Sequence, residues 1–231
     1  MSAATLSVRI AIEPKADPTG LRLDVAFEVP PGVTVLFGPS GAGKSRTLAS
    51  IAGLVRPHRG RIALGDDVWF DAERSDDLPI HARRVAYVFQ SLALFPHMTA
   101  AANVAYGIPR HVSRDERRSL ALEMLARMHV AKLADRLPRT FSGGEAQRVA
   151  LARAFAMSPR AVLLDEPFSA LDAELKAELL REVGEVLAKE RVPTVLVTHQ
   201  PEDAELLGDR VVFIEKGRVT KTTSMSDGPF Q

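Results

Sequence analysis

Cysteine is absent from all 231 residues, which excludes disulfides, Cys-ligated zinc and thiol nucleophiles together. Long apolar runs are absent as well. No stretch reaches the roughly 18 apolar residues that a membrane-spanning helix requires, so the chain cannot cross a bilayer alone. Met1 to Ile12 lacks a charged segment followed by an apolar one, and no secretory signal is expected. Aromatic residues make up only 6 %, with a single tryptophan, Trp69, expected to pack within a sheet rather than touch a ligand. Neither sign of charge dominates. Thirty Lys and Arg against 29 Asp and Glu leave a formal charge of +1, which provides no basic field for nucleic acid. Any membrane role must therefore run through a partner.

What remains is a composition of 46 % hydrophobic and 26 % charged residues, able to bury a real core. The length suits one large domain or a core with an inserted subdomain. Val8, Ile10 and Ile12 alternate along one face, and Leu23, Val25, Phe27 and Val29 repeat the pattern. This predicts two half-buried strands joined by the turn-rich segment 13–20, with Phe27 in the core. Further strands are expected at Val33–Phe37, Arg61–Leu64, Val68–Phe70, Arg84–Phe89, Ala161–Leu164, Thr194–Val197 and Val211–Glu215. Helices are expected at Thr47–Val55 (ending near Pro57 and Gly60), Ala100–Tyr106, Ser113–His129, Glu145–Met157 and Ala173–Lys189. In the third region Leu120, Met124, Leu125 and Met128 recur at helical spacing amid many charges. Leu175, Leu179, Val183 and Leu187 do so in the last helix. Strands alternating with helices imply a mostly parallel α/β sheet with ligands at the carboxyl ends of its strands. After Lys221 the polar composition predicts fraying.

Val33–Phe37 runs into Gly38, Pro39, Ser40, Gly41, Ala42, Gly43, Lys44 and Ser45, ahead of a helix. This is G-x-x-x-x-G-K-[ST] in its required strand–loop–helix setting. Glycines allow the backbone to wrap a phosphate chain with its N–H groups inward, at a helix N-terminus that favours anions. Lys44 adds charge toward the β- and γ-phosphates, and the Ser45 hydroxyl is placed to ligate Mg²⁺. A Gly-rich turn that merely caps a helix is the plainer reading. The pattern points to a nucleoside triphosphate without saying which machine uses it.

Ala161–Leu164 ends in Asp165 and Glu166, one carboxylate suited to Mg²⁺ and the next to orienting and deprotonating water. Alone, this could be a strand meeting solvent. Downstream of the phosphate loop stand Phe141, Ser142, Gly143, Gly144 and Glu145, leading into a helix. With these residues the chain resembles the ABC ATPase family, whose signature is LSGGQ, and the likeness covers nearly its whole length. Gln90 matches the Q-loop glutamine, Ser169-Ala170-Leu171-Asp172 the D-loop, and His199 the switch histidine rather than a plain surface histidine.

The resemblance implies a P-loop NTPase fold: a mostly parallel core sheet, an antiparallel β layer and an inserted helical subdomain. The boundaries would be a core at about 1–90 and 159–231 and a subdomain at about 91–158. It implies an ATPase that binds ATP and Mg²⁺ as a head-to-tail homodimer. Gly38 to Arg46, Gln90, Asp165, Glu166 and His199 of one protomer would share each nucleotide with Ser142 to Glu145 of the other. Glu166 would polarise water, His199 would contact the γ-phosphate, and Ser45, Gln90 and Asp165 would surround the metal. The Ser142 end is a second helix N-terminus suited to phosphate.

The chain departs from the pattern in four places: Phe141 for leucine, Glu145 for glutamine, Arg46 where threonine is common, and no adenine-stacking ring in 13–20. Glu145 puts a carboxylate near nucleotide, and its side chain is expected to turn to solvent. Gln90 to Thr99 is similar to importer ATPases that engage a coupling helix of a permease. Val68–Asp71, Leu78-Pro79, Arg83–Val85, Val33–Ser45 and the SGGE glutamate resemble molybdate-importer ATPases in particular. The implied partners are a polytopic permease and an extracytoplasmic solute-binding protein, with the chain peripheral on the cytoplasmic face of the inner membrane. The C-terminal oxyanion-binding β domain of many such importers is not expected before Gln231. A non-hydrolysing regulatory cassette and a non-transport ABC ATPase are the alternatives. Lys44, Glu166 and His199 argue against the first, and the missing coiled-coil insertions against the second.

Overall fold

A computed structural model describes residues 4–14, 20, 22–109, 111–169, 171 and 173–230. Strand β1 (Leu6–Ile12) pairs antiparallel with β2 (Leu23–Val29), and their inward residues Val8, Ile10, Val25 and Phe27 are buried as their alternation predicts. Next along the chain come β3 (Gly32–Phe37), α1 (Lys44–Ala52), β4 (Arg59–Leu64), β5 (Asp67–Asp71), β6 (Asp76–Asp77), α2 (Ile80–Arg83) and β7 (Val85–Val88). Helices α3 (Ala100–Tyr106), α4 (Arg114–Arg127) and α5 (Gly143–Ala156) precede β8 (Ala161–Asp165). The chain continues with α6 (Ala173–Glu190), β9 (Pro193–Thr198), α7 (Pro201–Leu207), β10 (Arg210–Glu215) and β11 (Arg218–Ser224).

The eleven strands of the described residues form one hydrogen-bonded sheet in the order β6-β5-β4-β1-β2-β11-β10-β3-β9-β8-β7. The half from β10 to β7 is parallel, and the half from β6 to β2 is antiparallel. The halves meet at a narrow seam: β11 joins β2 through the single pair Arg218–Asp24. Alternation sends the parallel strands' side chains into two cores. Val162, Leu164 and Leu196 face α3–α6, while Leu163, Val195 and Val197 face α1 and the antiparallel half. Trp69 lies fully buried in that second core.

Helix α1 ends earlier than expected, at Gly53 rather than near Pro57. Gly53 takes the left-handed conformation (φ 86°) and its N–H returns to the Ala49 and Ser50 carbonyls. Arg83, 1 % exposed, then donates to the Ser50 and Ile51 carbonyls at 3.0 and 2.8 Å and pairs with Asp77 at 2.9 Å. The end of the helix is thus capped from 33 residues away, which no local pattern reveals.

The sequence pattern and the structure differ at two other places. Leu120 is exposed, because the buried face of α4 runs through Ala121, Met124 and Leu125 and continues to Met128. The region after Lys221 does not fray: β11 continues to Ser224, and Phe230 packs on Phe37 and Phe213 at 4.8 and 5.9 Å. Its polar side chains face solvent while its backbone is paired with β10, so composition misled where hydrogen bonding decides.

Candidate active site

At the end of β3 the backbone passes close under a neighbour. A Cβ on Gly38 would stand 2.1 Å from the Ile214 carbonyl oxygen of β10, so only glycine fits there. The loop then opens α1 at Lys44 with Gly43 as N-cap, which has no side chain to satisfy the first amides. Lys44, 5 % exposed, folds back so that Nζ donates to the Gly38 and Pro39 carbonyls at 2.7 and 2.9 Å. Burial lowers its pKa, and the nearby Glu166 and Asp165 carboxylates oppose that shift. Beside it lies an open pocket of about 540 Å³ lined by Gly20, Ser40, Gly41, Lys44, Arg46 and Glu166, among others.

Asp165 closes β8 and meets the loop directly: Ser45 Oγ donates to its Oδ1 at 2.9 Å. Tyr87 donates to Oδ2 at 3.1 Å. Burial raises the Asp165 pKa, the two hydrogen bonds work against it, and Glu166 adds to it. Burial likewise pushes the Tyr87 phenol up, helped by the Asp165 charge. Glu166 holds a left-handed backbone (φ 47°), a conformation that costs a non-glycine residue about 1 kcal/mol or more. Its N–H is retained by the Val197 carbonyl at 3.0 Å, so the chain leaves the strand sharply while staying tied to β9. The Glu166 Oε1 then lies 3.4 Å from Nδ1 of the half-exposed His199.

Lys44, Ser45, Asp165, Glu166 and His199 therefore converge at the carboxyl ends of β3, β8 and β9. Gln90 and Ser142–Glu145 do not join them: among the described residues no hydrogen bond or ion pair links either to that group. Gln90 is exposed just beyond β7. Ser142 heads α5 in a reciprocal capping box, its Oγ accepting from Glu145 N at 3.2 Å and its N–H donating to Glu145 Oε2 at 2.9 Å. The Glu145 side chain thus turns onto its own helix end and not out to solvent. That backbone bond, aided by Lys132 and Arg136, lowers its pKa. In the D-loop Ser169 bonds back to the Glu166 carbonyl; Ala170 and Asp172 lie outside the described residues, as does most of the adenine segment, 15–19.

Sequence reasoning passed over Tyr87. Its signal was present in the period-2 alternation. Tyr87 pairs with Leu163, which shares a face with Asp165 two residues on, but only the parallel register reveals it. Arg153 was missed too: from α5 it donates to the Ala93 and Leu92 carbonyls at 2.7 and 2.8 Å, binding that helix to the loop after Gln90.

A family model described as ABC transporter matches residues 23–169. The chain belongs to the ABC transporter family. The molybdenum import ATP-binding protein ModC of Rhizobium meliloti is 40 % identical over 227 residues, covering 96 % of this chain and 63 % of that protein. ModC of Rhodospirillum rubrum is 41 % identical over 207 residues, covering 90 % and 56 %. The chain thus spans about six tenths of the length of the curated relatives it matches. Among solved structures, the dimeric bacterial ABC transporter cassette MJ0796 superposes with a TM-score of 0.80 at 27 % identity, covering 96 % of this chain and 98 % of that one. A second MJ0796 dimer, equally similar, is described as a post-hydrolysis state bound to ADP and Pi. The mixed sheet with its inserted helices is the cassette fold of this family.

Proposed function

We propose that the chain binds and hydrolyses Mg-ATP to drive a membrane importer, with molybdate as the solute. The observation that carries the chemistry is a pocket wall formed by Lys44, Ser45 and Glu166, with Asp165 bonded to Ser45 and His199 beside Glu166. Ser45 Oγ and Asp165 Oδ1 bring two hard oxygen donors to one point, the set that Mg²⁺ takes beside substrate phosphates, and Gln90 is the proposed third ligand. When bound, the ion neutralises charge on the phosphates. Lys44 exchanges its carbonyl partners for phosphate oxygens, and loop amides 41–45 hold the rest of the chain. Glu166 accepts the proton of the attacking water, while His199, oriented by its contact with Glu166, faces the γ-phosphate.

A second copy supplies Ser142–Glu145 to each nucleotide. This reading rests on two facts: the MJ0796 cassettes are dimers, and among the described residues no hydrogen bond or ion pair joins that helix end to its own chain's site. A permease partner is supported by a groove of about 510 Å³ whose exposed apolar residues include Leu54, Ile80, Phe89 and Tyr106. Phe95 and Arg153 line it too, so its floor connects to the signature helix. No helix among the described residues is long and apolar enough to cross a membrane, and attachment to the cytoplasmic face would come through that groove. The solute is inferred from the molybdenum importers that the relatives serve by name, with a solute-binding protein as the further partner. Affinity isolation from membranes should recover a polytopic subunit, and molybdate-loaded binding protein should stimulate the complex's ATPase. An ATPase that recovers no membrane protein would contradict the transport reading.

A further inference from the structure

Behind His199 lies a buried polar cluster that the proposed chemistry does not use. Lys176, on the first turn of α6, is 9 % exposed, Asp203 on α7 is 3 % and Thr198 at the end of β9 is 4 %. Lys176 Nζ stands 2.5 Å from Asp203 Oδ1 and also donates to Gln200 Oε1. Thr198 Oγ1 donates to Asp203 Oδ2 at 3.0 Å and accepts from the Gln200 N–H at 3.1 Å. Both neighbours of His199 are therefore pinned, Thr198 by Asp203 and Gln200 by Lys176 and Thr198. The imidazole between them stays half exposed and aimed at Glu166.

Taking a lysine and a carboxylate this far from water costs free energy that two packed apolar side chains would not. Its bonds converge on the one turn that carries a proposed γ-phosphate contact. We infer that Lys176 is a positioning residue for His199, holding turn 198–203 through Asp203 and Gln200 so that the imidazole meets the phosphate. The inference rests on the role given to His199 above. A displacement of about 1 Å at a reacting centre can cost about a hundredfold in rate, so a residue that never touches substrate can still govern turnover.

The test compares Lys176→Met, Lys176→Arg, His199→Ala and the Lys176→Met/His199→Ala pair by steady-state Mg-ATP hydrolysis. ATP-induced thermal shift serves as the binding control. Lys176→Met should lower kcat by about tenfold to a hundredfold with KM and the thermal shift held within about twofold. Lys176→Arg should restore most of the loss. In the His199→Ala background the same lysine change should cost less than about twofold more, since the residue it positions is gone. Should Lys176→Met fail to fold, Lys176→Met/Asp203→Leu removes both buried charges together and should fold while showing the same kcat loss. Wild-type kcat in a folded Lys176 variant, or the full loss repeated in the His199→Ala background, overturns the inference and spares the reading of His199. His199→Ala turning over at the wild-type rate overturns both.

Discussion

At the head of α1 the first backbone amides have no side-chain cap, and the loop's own lysine is turned onto its carbonyls. At the head of α5, by contrast, Ser142 and Glu145 satisfy each other in a capping box. Both ends are Ser- and Gly-rich helix N-termini with the same attraction for phosphate. The first is built unsatisfied: Lys44 and Asp165 are both desolvated, with pKa values displaced toward their neutral forms. The second is stable alone, with a carboxylate already seated where an anion would go. One end is therefore the proposed phosphate cradle, held at a cost in stability, and the other is a self-sufficient helix start that can be presented to another chain. Local strain and desolvated charge collect at the proposed site.

The largest effect should come from the carboxylate beside the first end. Glu166→Gln should slow Mg-ATP hydrolysis by about 10²- to 10⁴-fold, the usual loss for a general base, while still binding ATP. Turnover at the wild-type rate would remove Glu166 from its role. Lys44→Ala should abolish most of the thermal stabilisation by ATP, which is about 2.7 kcal/mol for the wild type at a hundredfold excess over Kd. An unchanged melting shift would mean the cradle lies elsewhere.

The contrast sharpens in acid, measured as melting against pH without nucleotide. Asp165 has a raised pKa in the folded chain, so its charge destabilises the fold once pH rises through the ordinary carboxylate range to that raised value. Asp165→Asn should therefore melt higher than wild type at neutral pH, with the gain fading as pH falls below the ordinary carboxylate pKa. Glu145 has a lowered pKa, so its contribution is present above the ordinary carboxylate range and lost as pH falls through the lowered value. Glu145→Gln should melt slightly lower at neutral pH, and its deficit should close in acid. Shifts of the same sign in both variants would erase the distinction between the two ends.

The smallest effect concerns the base. Segment 13–20 offers no aromatic ring, so phosphate contacts dominate and GTP should bind within about tenfold of ATP, a gap of about 1.4 kcal/mol. A competition titration showing about a hundredfold preference for ATP would reveal a base-reading contact.

Much of this site was legible in the sequence because its chemistry is local. Gly38–Ser45, Asp165-Glu166 and Ser142–Glu145 each fit within one loop or helix turn, where spacing alone fixes geometry. The unread parts depend on pairings across the fold. Tyr87 reaches Asp165 only through parallel register, and Arg83 caps a helix 33 residues upstream. Lys176 and Asp203 sit on two helices that meet only after folding. The turn of Glu145 onto Ser142 was missed for another reason: the carboxylate was weighed against nucleotide and not against its own helix end. Elements followed the same rule. Strands with buried alternation were placed within a residue or two, whereas β11 has mostly exposed side chains and is held by its backbone.

In the proposed composite site the two ends act on one nucleotide across two protomers. A mixed dimer pairing Ser142→Arg in one chain with Lys44→Ala in the other tests it in a single-turnover ATPase assay. If the ends belong to different protomers, one cradle keeps both its lysine and its partner serine, and about one ATP per dimer is hydrolysed. If each chain completes its own site, each lesion disables one site, and hydrolysis no greater than in either mutant homodimer would contradict the account.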